Sequence, residues 1–264
     1  MMLWTGMAAG AGNLDFAVIQ PGQPGTPQEA QPVMDSLAAY LQQKTGAGTV
    51  VKGSYFNDLD QAVAYLKSGP PTWGIVSLGF YVQYASRFPM SPLASTRPGG
   101  SSTDVWRLAA AKEGPDDWKN LSGEVDGTML FEKNGAACIL FGEPASKLPF
   151  TLTGSFRPLS VLRKVAAGKT AGIVLDRLQY EAMKSLPLAE KIKVVFSTKE
   201  IPTSPVVWFG PPDNEMKRLA DTLQAMGKDP EAASLLQLLQ TDGFGPPDPA
   251  LPGMKLKEDG GCPR

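Results

Sequence analysis

Gly74–Ala85, with the sequence GIVSLGFYVQYA, decides the fold. Its first half is typical of a buried strand, and its second half of a helix that begins after Ser77-Leu78-Gly79. A junction of this kind presents backbone N–H groups and short side chains to a ligand. Just upstream, Phe56–Gly69 has the pattern of an amphipathic helix with Asn57 as its cap and Gly69 as its end. The order strand, helix, strand, helix predicts an α/β fold.

The same alternation continues on both sides of this stretch. Thr26, Pro27 and Glu29 have the pattern of a capping box, which predicts a helix over 27–44. A further helix is predicted to begin at Ser155 and Pro158 and to reach Ala167, where Gly168 ends it. Further strands are predicted over 16–19, 50–52, 172–175 and 192–196.

The middle of the chain interrupts this order. Asn134-Gly135 is typical of a hairpin turn and predicts two strands over 128–131 and 136–141, although a parallel placement of the second strand is left open. The Pro, Ser and Gly content of 92–103 indicates a first crossing between two lobes, and 201–204 indicates the return crossing.

The order and spacing of these segments resemble the phosphonate-binding type of periplasmic solute-binding protein. The resemblance implies a two-lobed α/β fold with a ligand cleft between lobes that two crossings join. It also implies a binding protein rather than an enzyme, located in the periplasm, soluble or membrane-tethered, which passes its ligand to a membrane transporter or a partner carrier protein. The predicted division of the chain is 13–95 with 204–250 for the first lobe, 104–198 for the second lobe, 1–12 for a signal remnant or tag scar, and 251–264 for a tail on the surface.

Composition excludes several classes of function. The chain has 264 residues with 25 basic and 26 acidic side chains, so no overall positive field attracts nucleic acid. Histidine is absent, which removes the commonest general base and the commonest zinc ligand. The sequence predicts no metal site, no cofactor and no catalytic residue, and a monomer in solution.

The two cysteines lie far apart in the sequence. Cys138 stands in the apolar run 136–141, and Cys262 stands in the tail. A disulfide is conceivable, but the favoured interpretation of Cys138 is a small buried apolar side chain.

Candidate ligand-binding residues follow the predicted strands, because ligands of open α/β sheets bind outside the carboxyl ends of the strands. The resemblance implies that Tyr81 is a cleft aromatic and Asp176 an acidic residue of the cleft. The full set is Gln20, Gln23, Tyr55, Ser77, Phe80, Tyr81, Ser155, Phe156 and Asp176.

Each of these residues also has a purely structural interpretation. Tyr81 could be a core aromatic and Tyr55 a cover for a turn, while Asp176 and Ser155 could be helix caps. Ser77 is better explained as a partner of the local backbone.

The predicted ligand depends on one departure from the family pattern. A Ser/Thr-rich loop at a helix N-terminus early in the second lobe would hold a tetrahedral anion, but 106–153 contains no such loop and predicts no helix to follow it. We therefore predict an apolar lipid with a polar head, such as a sterol. The alternatives are a phosphonate- or phosphate-type anion for an ABC importer, and a sensor module without a role in transport.

Overall fold

A computed structural model describes residues 13–46 and 50–263, and the predicted signal remnant or tag scar at 1–12 lies outside the described residues. The first part of the chain alternates strands and helices, as predicted. Its elements are β1 (Phe16–Ile19), α1 (Pro27–Thr45), β2 (Gly53–Phe56), α2 (Leu59–Ser68), β3 (Trp73–Val76), α3 (Leu78–Tyr84) and β4 (Met90–Thr96).

The middle of the chain continues with elements of a second sheet, and the end of the chain returns to the first. These elements are β5 (Thr103–Asp104), β6 (Arg107–Ala111), β7 (Gly123–Gly127), α4 (Lys133–Phe141), β8 (Phe150–Gly154), α5 (Pro158–Ala166), β9 (Gly172–Leu175), α6 (Arg177–Lys184), β10 (Ile192–Ser197), β11 (Ile201–Pro202), β12 (Pro205–Phe209), α7 (Asn214–Ala225), α8 (Ala233–Leu238) and β13 (Phe244–Gly245).

The first sheet has the strand order β13-β4-β12-β3-β1-β2. β1 pairs in parallel with β2 and β3, whereas β12 pairs antiparallel with both β3 and β4. β1 and β3 are buried along their whole length, because helices cover both faces of this part of the sheet. We call this sheet with its helices the first lobe.

The second sheet has the strand order β10-β6-β9-β7-β8 and forms the second lobe with α4, α5 and α6. β7 pairs in parallel with β8 and β9, and β6 pairs antiparallel with β9 and β10. The two chain segments that cross between the lobes, β5 and β11, pair antiparallel with each other. The crossings therefore form one short ribbon, and the boundaries at which each lobe begins and ends stay a prediction.

The predicted hairpin over 128–141 is wrong. Lys133–Phe141 is a helix that ends at Gly142, whose φ of +69° is the left-handed conformation typical of a glycine after a helix. Gly135 lies in the first turn of this helix, where it permits close packing, and it does not form a hairpin turn. A Cβ on Gly135 would lie 2.5 Å from the backbone oxygen of Gly79 in α3, so only glycine permits this approach of α4 to α3.

The predicted positions of three other features also change. The strand expected over 50–52 is β2 at Gly53–Phe56, where Gly53 lies flat on the ring of Phe16. The cap of α2 is Asp58, whose side chain accepts from Gln61 N–H, so the predicted Asn57 cap is wrong. The segment 92–96, expected in the first crossing, belongs to β4 because it pairs with β12.

A disulfide joins Cys138 to Cys262, contrary to the favoured interpretation of Cys138. The end of the chain folds back over α3, where Leu256 N–H donates to the backbone oxygen of Val82 at 2.9 Å. Leu251 and Leu256 are buried, so this segment is not the surface tail that its Pro and Gly content predicts. The return of the chain brings the Cα atoms of the two cysteines to 5.2 Å, although they are 124 residues apart in sequence.

Within 13–46 and 50–263, no helix combines the length and the apolar character that a membrane crossing requires.

Candidate functional site

Two adjoining cavities lie where the lobes meet. The larger has a volume of about 420 Å³ and is lined by the β1–α1 loop, α1, the crossings and the start of α6. The smaller has a volume of about 100 Å³ and is lined by the β1–α1 loop, the start of α3, the crossings, the β7–α4 loop and the start of α6. Both cavities therefore use groups from both lobes, which is the arrangement expected of a ligand cleft.

The lobes touch directly across this cleft. A Cβ on Gly22, in the β1–α1 loop, would lie 1.9 Å from the backbone oxygen of Thr128 in the second lobe. Gly22 has a φ of +94°, so a glycine is required here both for the contact and for the backbone conformation. Thr128 is held in turn by Gln179, whose side-chain N–H donates to the Thr128 hydroxyl at 2.9 Å.

The structure places five of the predicted ligand residues on these cavities. Gln20, Gln23 and Asp176 line both, Tyr55 lines the larger and Ser77 the smaller. Tyr55 lies inside β2 instead of after it. Ser77 and Asp176 are also helix caps, because their side chains accept from Phe80 N–H and Gln179 N–H.

The other four predicted residues lie outside the linings of the two cavities. Phe80 and Tyr81 are fully buried in the core, where Phe80 packs on Tyr84 with ring centres 4.7 Å apart. Ser155 accepts from Arg157 N–H, and Phe156 is 47% exposed and packs on Phe131. Within the described residues, the Tyr81 hydroxyl has no hydrogen-bond partner, and burial raises its pKa to about 12. A ligand role for these four residues stays a prediction.

Glu132 is the functional candidate that sequence reasoning missed. It stands immediately before α4, is 0% exposed and lines the smaller cavity. Its Oε1 accepts from the Ser77 hydroxyl at 2.8 Å, whereas its Oε2 has no hydrogen-bond partner within the described residues. Burial raises the pKa of this carboxyl to about 7. One signal in the sequence could have identified it. Gly142 follows an apolar run and marks the C-terminus of a helix, and a helix that ends there places Glu132 at its N-terminus.

Two further carboxyl groups line the smaller cavity, and sequence reasoning singled out only one of them. Burial, with a smaller contribution from the charge of Asp104, raises the pKa of Asp176 to about 6. Asp104 accepts from Arg177 N–H at 2.9 Å and so ties the first crossing to α6. Arg177 lines the larger cavity only, where its guanidinium donates to the Ser101 hydroxyl at 3.1 Å. The smaller cavity is therefore lined by three carboxyl groups and by no lysine or arginine among the described residues.

No group of three or more side chains able to ligate a metal occurs among the described residues. The cleft instead offers hydroxyl, amide and backbone groups and the guanidinium of Arg177, which suit a small organic solute.

The sequence model of one protein family matches residues 24–251, and its description is "ABC transporter, phosphonate, periplasmic substrate-binding protein". The chain belongs to this family. It is accordingly a periplasmic protein of a class that binds small-molecule substrates and delivers them to ABC transporter permeases, which confirms the resemblance seen in the sequence and the predicted location.

Solved structures confirm the two-lobed α/β fold. XAC2383 from Xanthomonas citri, bound to chloride ion, is 18% identical with a TM-score of 0.70, and the match covers 91% of this chain and 93% of that chain. A binding protein component of an ABC phosphonate transporter from Pseudomonas aeruginosa is 18% identical with a TM-score of 0.61, over 90% and 82% of the two chains. PhnD1 from Prochlorococcus marinus, in complex with methylphosphonate, is 12% identical with a TM-score of 0.62, over 90% and 94%. No curated protein matches the chain.

Proposed function

We propose that this phosphonate-type binding protein captures a small organic anion between its lobes and delivers it to an ABC importer. The observation that carries the proposal is the pair of adjoining cavities that both lobes line and that share Gln20, Gln23 and Asp176. The larger cavity is lined by Arg177, whose positive charge suits an anionic group, and by apolar side chains such as Val33 and Met34, which suit an organic substituent.

The lipid ligand predicted from the sequence loses one of its two arguments. That prediction depended on a missing Ser/Thr-rich loop and on a missing helix after it, and α4 occupies this part of the chain. The Ser/Thr-rich loop is absent before α4, but the helix itself is present. The family match likewise favours the phosphonate-type alternative over a sterol.

We also propose that the chain acts without turnover and as a monomer. A binding protein requires only that the ligand stabilise contacts between lobes, and the paired crossings β5 and β11 supply a short hinge for that movement. The direct contact of Gly22 with Thr128 corresponds to lobes that meet over the ligand.

The test is calorimetric titration of the protein with methylphosphonate. Gln20→Ala should weaken binding about tenfold or more, because Gln20 lines both cavities. Gln43→Ala is the matched control, since Gln43 is an exposed glutamine that lines neither cavity, and it should leave the affinity within about twofold. Native mass spectrometry with an extract of the source cells runs in parallel. A retained lipid together with no heat from any phosphonate would refute the proposal in favour of a lipid carrier.

A further inference from the structure

Gln240 has a backbone conformation that its residue type disfavours. Its φ is +55°, and within 13–46 and 50–263 it is the single residue other than glycine with a positive φ. In this left-handed region a Cβ lies too close to the backbone, so glycine occupies the region far more readily than glutamine does. A glutamine at this position therefore lowers the stability of the fold relative to a glycine.

The conformation belongs to the end of α8. Gln240 N–H donates to the Gln237 carbonyl, and Thr241 N–H donates to the Leu236 carbonyl, both at 3.1 Å. These two hydrogen bonds form a Schellman motif, and the position that Gln240 occupies in this motif is usually a glycine. The local structure alone therefore favours glycine over the residue that is present.

The residues after Gln240 hold it in this conformation. Thr241 is buried, and its hydroxyl accepts from Arg97 N–H at 2.9 Å and donates to the Gly243 carbonyl at 2.7 Å. Asp242 N–H donates to the Arg97 carbonyl at 3.2 Å. Arg97 directly follows β4, so these bonds fix the end of α8 to the first sheet. Strain that the surrounding structure maintains in this way is concentrated at ligand-binding sites.

Gln240 lies at the larger of the two cavities of the cleft. It lines this cavity from the first lobe together with Gln20 and Gln23, and Arg177 and Leu178 line it from the second lobe. Gln240 is an exposed residue, so a ligand that enters the cavity can reach it from solvent. Its carboxamide offers two N–H donors and one oxygen acceptor, which suits an oxygen atom of a ligand.

We propose that Gln240 is a ligand-binding residue, whose carboxamide donates a hydrogen bond to an oxygen of the anion in the larger cavity. The unfavourable backbone conformation is retained because glycine would supply no side chain for this bond. Gln240 thereby provides a neutral donor from the first lobe, and Arg177 provides a cation from the second. This inference rests on the proposed function, because it requires the anion to bind between the lobes.

The test compares Gln240→Gly with Gln240→Ala by calorimetric titration with methylphosphonate and by thermal unfolding without ligand. Both variants should weaken binding about fivefold, because each removes one hydrogen bond to the ligand. Gln240→Gly should raise the midpoint of unfolding by about 2 °C, since glycine readily adopts the left-handed conformation. Gln240→Ala keeps the Cβ and should leave the midpoint within about 1 °C of the wild-type value. A purely structural role for Gln240 would not combine higher stability with weaker binding.

Gln237→Gly is the matched control, since Gln237 is an exposed glutamine of α8 that lines neither cavity. It should lower the midpoint by about 2 °C, because glycine weakens a helix, and leave the affinity within about twofold. Wild-type affinity in either Gln240 variant, or a midpoint that does not rise in Gln240→Gly, would overturn this inference and leave the proposed function intact. Failure of the wild-type protein itself to bind methylphosphonate would overturn both.

Discussion

At the scale of the residue, Glu132 links the pH to the stability of the protein. Burial raises its pKa from 4.5 to about 7, so the folded chain holds a proton that the unfolded chain releases. The stabilisation by this proton is fully present below pH 4.5 and is lost as the pH rises through 7.

The free energy of unfolding should therefore fall by about 1 kcal/mol between pH 6 and pH 7 because of Glu132. Glu132→Gln should lack this part of the slope. Asp176 has a pKa raised only to about 6, so most of its contribution lies at lower pH and is common to both proteins. Urea unfolding at pH 5, 6, 7 and 8 measures the two slopes. Parallel curves for the two proteins would show that Glu132 has a normal pKa in the folded state.

At the scale of the element, the contact between α3 and α4 depends on the absence of a side chain at Gly135. Its backbone N–H donates to the side-chain oxygen of Gln83 at 3.1 Å, and the position of its missing Cβ is occupied by the Gly79 carbonyl. The two helices come from different lobes, so this packing sets how closely the lobes approach.

Gly135→Ala should destabilise the protein by about 1–3 kcal/mol, because the added methyl group forces the helices apart. This cost exceeds the gain of roughly 0.5–1 kcal/mol that alanine brings to a helix interior. Gly253→Ala is the control, since a Cβ there meets nothing within 4 Å, and its effect should stay within about 0.5 kcal/mol. Chemical denaturation measures both. An unchanged midpoint for Gly135→Ala would mean that the helices have room to separate.

The helices and strands also show which signals in the sequence suffice to predict the structure. The capping box of Thr26 and Glu29 is present as predicted, and the strand over 172–175 matches β9, because both depend on local hydrogen bonds or on a continuous apolar run.

Asn134-Gly135 led to a wrong prediction because the same dipeptide occurs in hairpin turns and in close helix contacts, and only the partner helix decides between them. Glu132 was missed for the same reason, since its role depends on Ser77, which is 55 residues away in the sequence. The cleft positions of Gln20 and Asp176 followed from strand ends, whereas the cavity itself depends on how the lobes meet.

At the scale of the whole molecule, three covalent connections join the lobes. Two are the crossings β5 and β11, and the third is the disulfide from Cys138 in α4 to the chain segment held on α3. This segment is anchored to the first lobe by Leu256, whose backbone oxygen also accepts from the Ser86 hydroxyl at 2.7 Å.

Replacing both cysteines by serine should lower the free energy of unfolding by about 3–5 kcal/mol, because the bond closes a long loop in the unfolded chain. Reducing agent should lower the urea midpoint of the wild-type protein toward that of Cys138→Ser/Cys262→Ser and leave the double variant unchanged. A wild-type midpoint that does not respond to full reduction would show that the contacts of the segment hold it in place without the bond.

The position of β12 between β3 and β4 governs the order in which the lobes can be completed during export. A chain that emerges with its N-terminus first presents β3 and β4 long before residues 205–209. Each of these two strands therefore has an unpaired hydrogen-bonding edge until β12 emerges, more than a hundred residues later. The second lobe is continuous between its first and last strands and can close in the meantime. The first sheet therefore keeps two unpaired strand edges until residues 205–209 are available to fill the gap between β3 and β4.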